Sequence, residues 1–448
     1  MNEIQQIENP LSQNFTIKSL LKFAFPTILM MIFMGLYTII DTIFVARFVN
    51  TNALSALNIV CPINNLIVGI GTMLATGGSA IIARKMGAGK QTRASQDFTL
   101  ITSIGVLLGV LITVFGTVFI DKIILGLGAS SILFPYCKKY LFTLLLFTPA
   151  SILQVIFQNL IVTAGRPEIG MLIGGSAGIT NILLDYIFMV PLQMGIKGAA
   201  FGTGISYIIP TVIGILFFST NKSSLYFKKP IIDISVLVES CTNGFSEMIS
   251  QTATAVTTFL FNNIMMKILG ENGVAAITII IYTQFLLSTL YIGFSIGVAP
   301  VISYNYGKQD NKQLKNVFSI CIQFILFVSV SVFVIAFIFG SPLVCVFSEK
   351  GTSVYEIARN GFLIFPFSFL FCGLNIFTSA TFTALSNGKL SAILSFLRTF
   401  VLIIVLLLTL PNFLGVIGVW LAVPIAEFIT MIVALAFINQ NKEKYHYI

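Results

Sequence analysis

The sequence predicts an all-α polytopic membrane protein, with twelve transmembrane helices arranged as two pseudo-symmetric six-helix bundles. Three observations predict this. The 448-residue chain is 56% hydrophobic and 9% charged, with a mean hydropathy of +0.98, whereas soluble domains carry about 25% charged residues. Apolar runs recur at the spacing of a helix plus a loop, and about 20 such residues cross a bilayer. A shift of 220 residues lays the second half of the chain over the first, the signature of an internal repeat.

The elements follow in order. Residues 1–17 form a polar N-terminal segment, and no cleavable signal is expected in front of the first apolar run. Spans are expected at 18–47, 53–82, 94–120, 133–163, 168–190 and 195–218, which make up a first lobe, 18–218. A basic connector, 219–237, contains NKSSLYFKKPIID. Six more spans, at 238–267, 273–303, 315–340, 353–383, 388–410 and 415–438, make up a second lobe, 238–438, before a polar tail at 439–448. With the N-terminus placed inside, 16 of the 25 lysines and arginines fall in inner segments and 8 in outer ones. Basic residues concentrate on the cytoplasmic side of membrane proteins, so both termini are expected in the cytoplasm. The net charge of +9 is explained by these loops without nucleic acid.

The repeat register holds from end to end. The shift pairs Pro10 with Pro230, Asn52 with Asn272, Gly77 with Gly297, Gly87 with Gly307, Pro191 with Pro411 and Gly195 with Gly415. Six spans per half is an even number, so the halves share one topology. They should be related by an axis along the membrane normal, with a cavity between the bundles, as in parallel-repeat transporters.

Several chemistries are disfavoured. The single histidine, His446, lies in the C-terminal tail, and no HExxH or GxSxG motif occurs, so an enzyme is not expected. The six cysteines lack C-x-x-C spacing and read as small buried side chains.

What remains is carboxylates inside apolar helices. Four of the 16 acids lie within spans: Asp41, Asp185, Glu247 and Glu427. A charge at the bilayer centre costs about 2.5–3.5 kcal/mol on insertion scales, so each should be paired or used. From a rise of 1.5 Å per residue, Asp41 and Asp185 sit about 9 Å and about 8 Å from the outer ends of spans 1 and 5. Tyr37 and Asn181 lie one turn away on the same faces, and Tyr140 and Thr203 reach the same depth. Two carboxyls among amide and hydroxyl oxygens form a hard-oxygen site. It can hold a monovalent cation, Na⁺ among them, or a proton between two carboxyls that resist double ionisation. Under the shift, Phe261 and Val405 replace the two aspartates. The second half instead places Glu247, Arg398 and Glu427 near the midplane. There Arg398 can pair one glutamate bidentately and leave the other unpaired, or all three can form a structural cluster.

These stretches resemble the multidrug and toxic compound extrusion (MATE) family, prokaryotic branch. The resemblance rests on LYTIIDTIFVAR in span 1, TNALSALNIVCPI and GGSAIIARKMGAGK in span 2, TAGRP closing span 4, and GENGVAAITIIIY and GVAPVISYNYGK in the repeat. It covers about residues 15–438. It implies a secondary active antiporter that exports amphipathic organic cations against inward H⁺ or Na⁺ by alternating access. The residues matching the family's coupling site are Asp41, Asn181, Asp185 and Thr203, and Pro26 matches a proline at which helix 1 bends. Glu247 matches a residue that carries ion or cationic drug. The resemblance implies no cofactor beyond the coupling ion, and a monomer in the inner or plasma membrane whose partners are small cations and lipid. A lipid-linked precursor flippase of the same superfamily is the alternative, disfavoured by four intramembrane acids against one arginine.

Overall fold

The computed structural model describes residues 9–220, 224–345 and 347–447. Among these residues every regular element is helical. The α-helices are α1 (Ile17–Phe48), α2 (Thr51–Gly87), α3 (Gln91–Val118), α4 (Ile120–Gly126), α5 (Phe134–Leu146), α6 (Thr148–Thr163), α7 (Pro167–Met189) and α8 (Ile196–Ser219) in the first half. In the second half they are α9 (Ile234–Lys308), α10 (Asn311–Cys345), α11 (Ser353–Gly361), α12 (Phe369–Ala384), α13 (Gly388–Phe396), α14 (Leu402–Leu414) and α15 (Val416–Tyr445).

Ten helical stretches are long and apolar enough to cross a membrane, and the bent pair α5–α6 makes an eleventh span. The 75-residue α9 breaks at Gly270 (φ 64°, ψ −151°) and supplies two spans, so the described residues account for twelve. The two arms of α9 run back alongside each other. Ser240 near its start and Tyr304 near its end both meet the last turns of α2, at Gly77 and Gly87.

The backbone carries the repeat directly. Gly195 (φ 57°, ψ −141°) and Gly415 (φ 56°, ψ −134°) hold the same turn one repeat apart, in a region that only glycine enters without steric cost. Gly89 (φ 74°) and Gln309 (φ 59°) cap equivalent helices in the same way. Phe227 packs on Phe98 at 5.0 Å, and Tyr447 packs on Phe318 at 4.7 Å, again one repeat apart. Helix α15 therefore continues through most of the 439–448 segment, with Tyr445 and Tyr447 buried.

Two spans expected as single helices are broken. Span 4 bends by 54° between α5 and α6, because Pro149, in the first turn of α6, lacks an N–H and its ring clashes with the carbonyl of the preceding turn. Span 10 changes at Phe365–Ser368 to a 3₁₀ turn that contains Pro366. Span 11 carries a π turn, Leu397–Val401, around Arg398; single π turns are frequent at functional sites.

The halves close on each other at the end that carries Arg84, Lys85 and Lys308, here called the basic end. A methyl group on Gly87 would overlap the Tyr304 carbonyl, and one on Gly307 would overlap the Arg84 carbonyl. These two contacts are related by the repeat. Arg84 Nη2 also pairs with Glu239 Oε1 at 2.8 Å across the same seam. The N-terminal segment crosses there as well: the Phe15 carbonyl accepts from Asn316 Nδ2 at 2.8 Å and from Gln313 Nε2 at 3.3 Å.

Candidate functional site

Small residues bring α1, α7 and α8 close enough to build a site. Gly170, Gly174 and Gly178 repeat every four residues on one face of α7. Without a hydrophobic drive between helices in lipid, such stripes let backbones approach closely. Met30 of α1 fits against Gly174 and the Tyr37 ring against Gly178. The same face of α7 continues through Asn181 to Asp185, so the stripe delivers these two side chains to α1. On α8, Gly202 meets Asp185, and a methyl group there would overlap its Oδ1.

The result joins the residues expected from the sequence. Asp41 and Asp185 lie within hydrogen-bonding reach of each other. Asp185 is 0% exposed and Asn181 1%. Asn181 Nδ2 faces Thr203 Oγ1 at 3.5 Å, which leaves the Asn181 Oδ1 free. Tyr37 and Tyr140 stand within electrostatic reach of Asp41. Asp41 Oδ1, both Asp185 carboxyl oxygens and Asn181 Oδ1 are buried and make no hydrogen bond among the described residues, with the Asn181 side chain within reach of the Asp185 carboxyl.

That last fact decides what the site can do. Buried polar atoms are normally partnered, and four converging acceptors cannot satisfy one another. A proton on a carboxyl, a cation bound to these oxygens or an ordered water can each complete the arrangement. All the atoms are hard oxygens, so the donor set fits Na⁺ as well as H⁺. A further group, Tyr207 of α8, stands within electrostatic reach of Asp41 and Asp185, and Cys61 of α2 stands within reach of Tyr140. Tyr207 was detectable in the sequence, since it lies one turn beyond Thr203 on the same helical face.

The second half is built differently. Arg398 Nε bonds Glu427 Oε1 at 2.8 Å, and Asn375 Nδ2 donates to Glu427 Oε2 at 2.7 Å and to the Glu427 carbonyl at 2.8 Å. The expected bidentate pairing is therefore a single Nε bond, because Asn375 occupies the second carboxylate oxygen. Glu247 lies within electrostatic reach of Arg398 and has no ion pair or hydrogen bond among the described residues. Pro26 sits inside the continuous helix α1. Next to it, the buried Thr27 donates to the Ala24 carbonyl at 2.6 Å and packs near Gly293 of α9. Two grooves, of about 490 Å³ along Phe15, Lys18, Asn316 and Gln323 and about 280 Å³ along Ile67, Phe115 and Leu145, include none of the intramembrane acids.

Comparison with known proteins agrees with this architecture. The chain is 25% identical over 442 residues to multidrug export protein MepA of Staphylococcus saprophyticus, covering 95% of this chain and 94% of that protein. It is 24% identical over 437 residues to MepA of Staphylococcus aureus, with the same coverage. Among solved structures, an outward-facing multidrug resistance MATE family transporter of the MOP superfamily superposes with a TM-score of 0.91 at 21% identity, over 97% of this chain and 98% of that one. A MOP superfamily transporter from Pyrococcus furiosus, described as having a binding pocket of reverse polarity that suggests a different function, superposes with a TM-score of 0.89 at 21% identity, over 97% and 98%. The family model MatE matches the chain twice, at residues 26–187 and 248–409, once in each half, and with that repeated match the protein belongs to the MatE family of multi-pass membrane transporters.

Proposed function

We propose that this protein is a secondary active efflux antiporter that exports amphipathic organic cations in exchange for H⁺ or Na⁺. The observation that carries the proposal is the Asp41–Asp185 pair: a half-buried and a fully buried carboxyl within hydrogen-bonding reach of each other, with three oxygens that make no hydrogen bond among the described residues. Family membership and the multidrug export names of the relatives support the export of drugs. The coupling ion fills the oxygen cluster of Asp41, Asn181, Asp185 and Thr203, and Tyr37, Tyr140 and Tyr207 close it off. Its binding favours one arrangement of the halves, and its release favours the other. A ligand shifts such an equilibrium only by its difference in affinity for the two states. Pro26 interrupts the hydrogen-bond ladder of α1 four turns from Asp41, and is the position where α1 bends as the charge on that residue changes.

The protein works as a monomer in the cell membrane with the basic end in the cytoplasm, as the two-to-one lysine and arginine bias supports. An anionic, lipid-linked cargo suits the interior poorly, since its one arginine is already neutralised by Glu427. Cells expressing the protein should accumulate less of a fluorescent lipophilic cation than vector controls, and an uncoupler should remove the difference. Equal accumulation without uncoupler would reject the efflux reading.

A further inference from the structure

Between α12 and α13 runs a file of buried hydroxyls that the ion site does not use. The Thr383 hydroxyl donates to Ser391 Oγ at 2.8 Å, Ser391 Oγ lies 2.8 Å from Ser379 Oγ, and Ser379 Oγ lies 3.0 Å from Ser395 Oγ. Ser391 is 0% exposed, and the other three are also buried. At both serine–serine contacts either oxygen can be the donor. The file starts at the basic end: Thr383 stands next to Ala384, the last residue of α12, near the exposed Lys389. It ends at Ser395, three residues before Arg398, about 4.5 Å along the helix axis. Beside it on α12, Asn375 Oδ1, Thr378 Oγ1 and Thr381 Oγ1 are buried with no partner among the described residues, and such atoms are normally served by water.

The fold does not require this file. One repeat earlier, Met171 stands for Ser391 and Gly175 for Ser395, with Asn159 for Ser379. The equivalents of Arg398 and Glu427 there are Gly178 and Tyr207. Thr163 keeps the hydroxyl of Thr383, but the other three are replaced, so the continuous file and the charged cluster occur together in one half only.

We propose that Thr383, Ser391, Ser379 and Ser395 form a proton path from the cytoplasmic face to the midplane cluster of the second half, with Glu247 as the terminal acceptor. Glu427 is held by Arg398 and Asn375, whereas Glu247 has no ion pair or hydrogen bond among the described residues. The charged and titratable groups facing the cluster are Arg398, Glu427, Cys372 and Tyr291. A proton reaching Thr383 Oγ1 bonds there as the threonine passes its own hydrogen to Ser391. The same exchange repeats at Ser379 and Ser395. One O–H bond forms and one breaks at each oxygen, and no charge stays on the file. Water carries the proton over the turn between Ser395 and Arg398 to the Glu247 carboxylate, and rotation of the hydroxyls resets the file.

The test follows carboxyl protonation by time-resolved infrared spectroscopy in oriented proteoliposomes, with a caged acid photolysed in the compartment that the basic ends face. It reads no transport, so it stands apart from the efflux reading of the Asp41 site. The protonated-carboxyl band should rise in wild type and be lost in Glu247→Gln. Ser391→Ala and Ser379→Ala should each slow its rise about a hundredfold, the scale of a positioned proton-transfer group, at unchanged melting temperature. Ser391→Thr should restore the rate. Ser79→Ala, which breaks the 2.6 Å hydroxyl contact with Thr163 in the first half, should leave it unchanged. Rates within about twofold of wild type in both alanine variants, equal slowing by Ser79→Ala, or a band that survives Glu247→Gln would each overturn the path.

Discussion

Replacing Asp41 with asparagine is expected to abolish drug efflux while leaving the protein folded and in the membrane. The substitution keeps the size of the side chain and changes one atom from acceptor to donor. In the native site, Asp41 Oδ1 and both Asp185 oxygens make no hydrogen bond among the described residues. The asparagine amide supplies one permanently, aimed at the carboxyl within reach of it. The site is then held as if always protonated, and the ion can no longer tell the two conformations apart. Couplings between sites typically amount to about 1–3 kcal/mol, or about 5- to 150-fold in affinity, so removing this one should return cells to vector-level resistance. Asp185→Asn should behave alike, because Asp185 is wholly buried at the same cluster. Stability should stay equal or rise, since a buried, unpaired acceptor is removed. Resistance assays, membrane immunoblots and melting curves in detergent check the three parts separately. Normal resistance at normal expression would refute the assignment.

A second large effect is expected at the seam between the halves. Gly87 and Gly307 each lie against a carbonyl of the opposite half, Tyr304 and Arg84. A backbone atom cannot rotate away as a side chain can, so any side chain here must push α2 and α9 apart. Overpacking costs about 1–3 kcal/mol, and about 1.4 kcal/mol changes a population tenfold. Gly87→Val should therefore shift the protein away from the form closed at the basic end by about tenfold or more, and transport should fall with it. The repeat predicts the same outcome for Gly307→Val. Dyes on the exposed positions Lys90 and Gln309, just past the two helix ends, report the seam by energy transfer. Wild type should show mainly short distances and both variants mainly long ones. An unchanged distance distribution in both would show that the contact does not hold the closed form.

How much of this was legible in the sequence depended on how rare each signal is. Asp41 and Asp185 stand out because a carboxylate in an apolar run is costly, and helix rise alone placed them at one depth. The repeat was legible from Gly195 and Gly415, because the turn demands glycine in both halves. Tyr207 was passed over although it lies one turn from Thr203, because a tyrosine in a membrane helix is unremarkable until its neighbours are known. The breaks in spans 4 and 10 had local causes in Pro149 and Pro366, but a proline in a membrane helix does not declare whether it kinks or breaks it. The choice of Glu427 over Glu247 by Arg398 depended on Asn375, from a third helix, and no periodicity within α13 or α15 reveals that. The hydroxyl file was invisible for the same reason, since serine and threonine are common in such helices and only the packing of α12 on α13 aligns four of them.

The central claim, that the Asp41–Asp185 pair couples ion to cargo, is tested most directly by cation efflux from proteoliposomes under separately imposed H⁺ and Na⁺ gradients. Efflux by the wild type should be accelerated by at least one of the two gradients, and that acceleration should vanish in Asp185→Asn. Equal acceleration of wild type and Asp185→Asn by the same gradient would contradict the account.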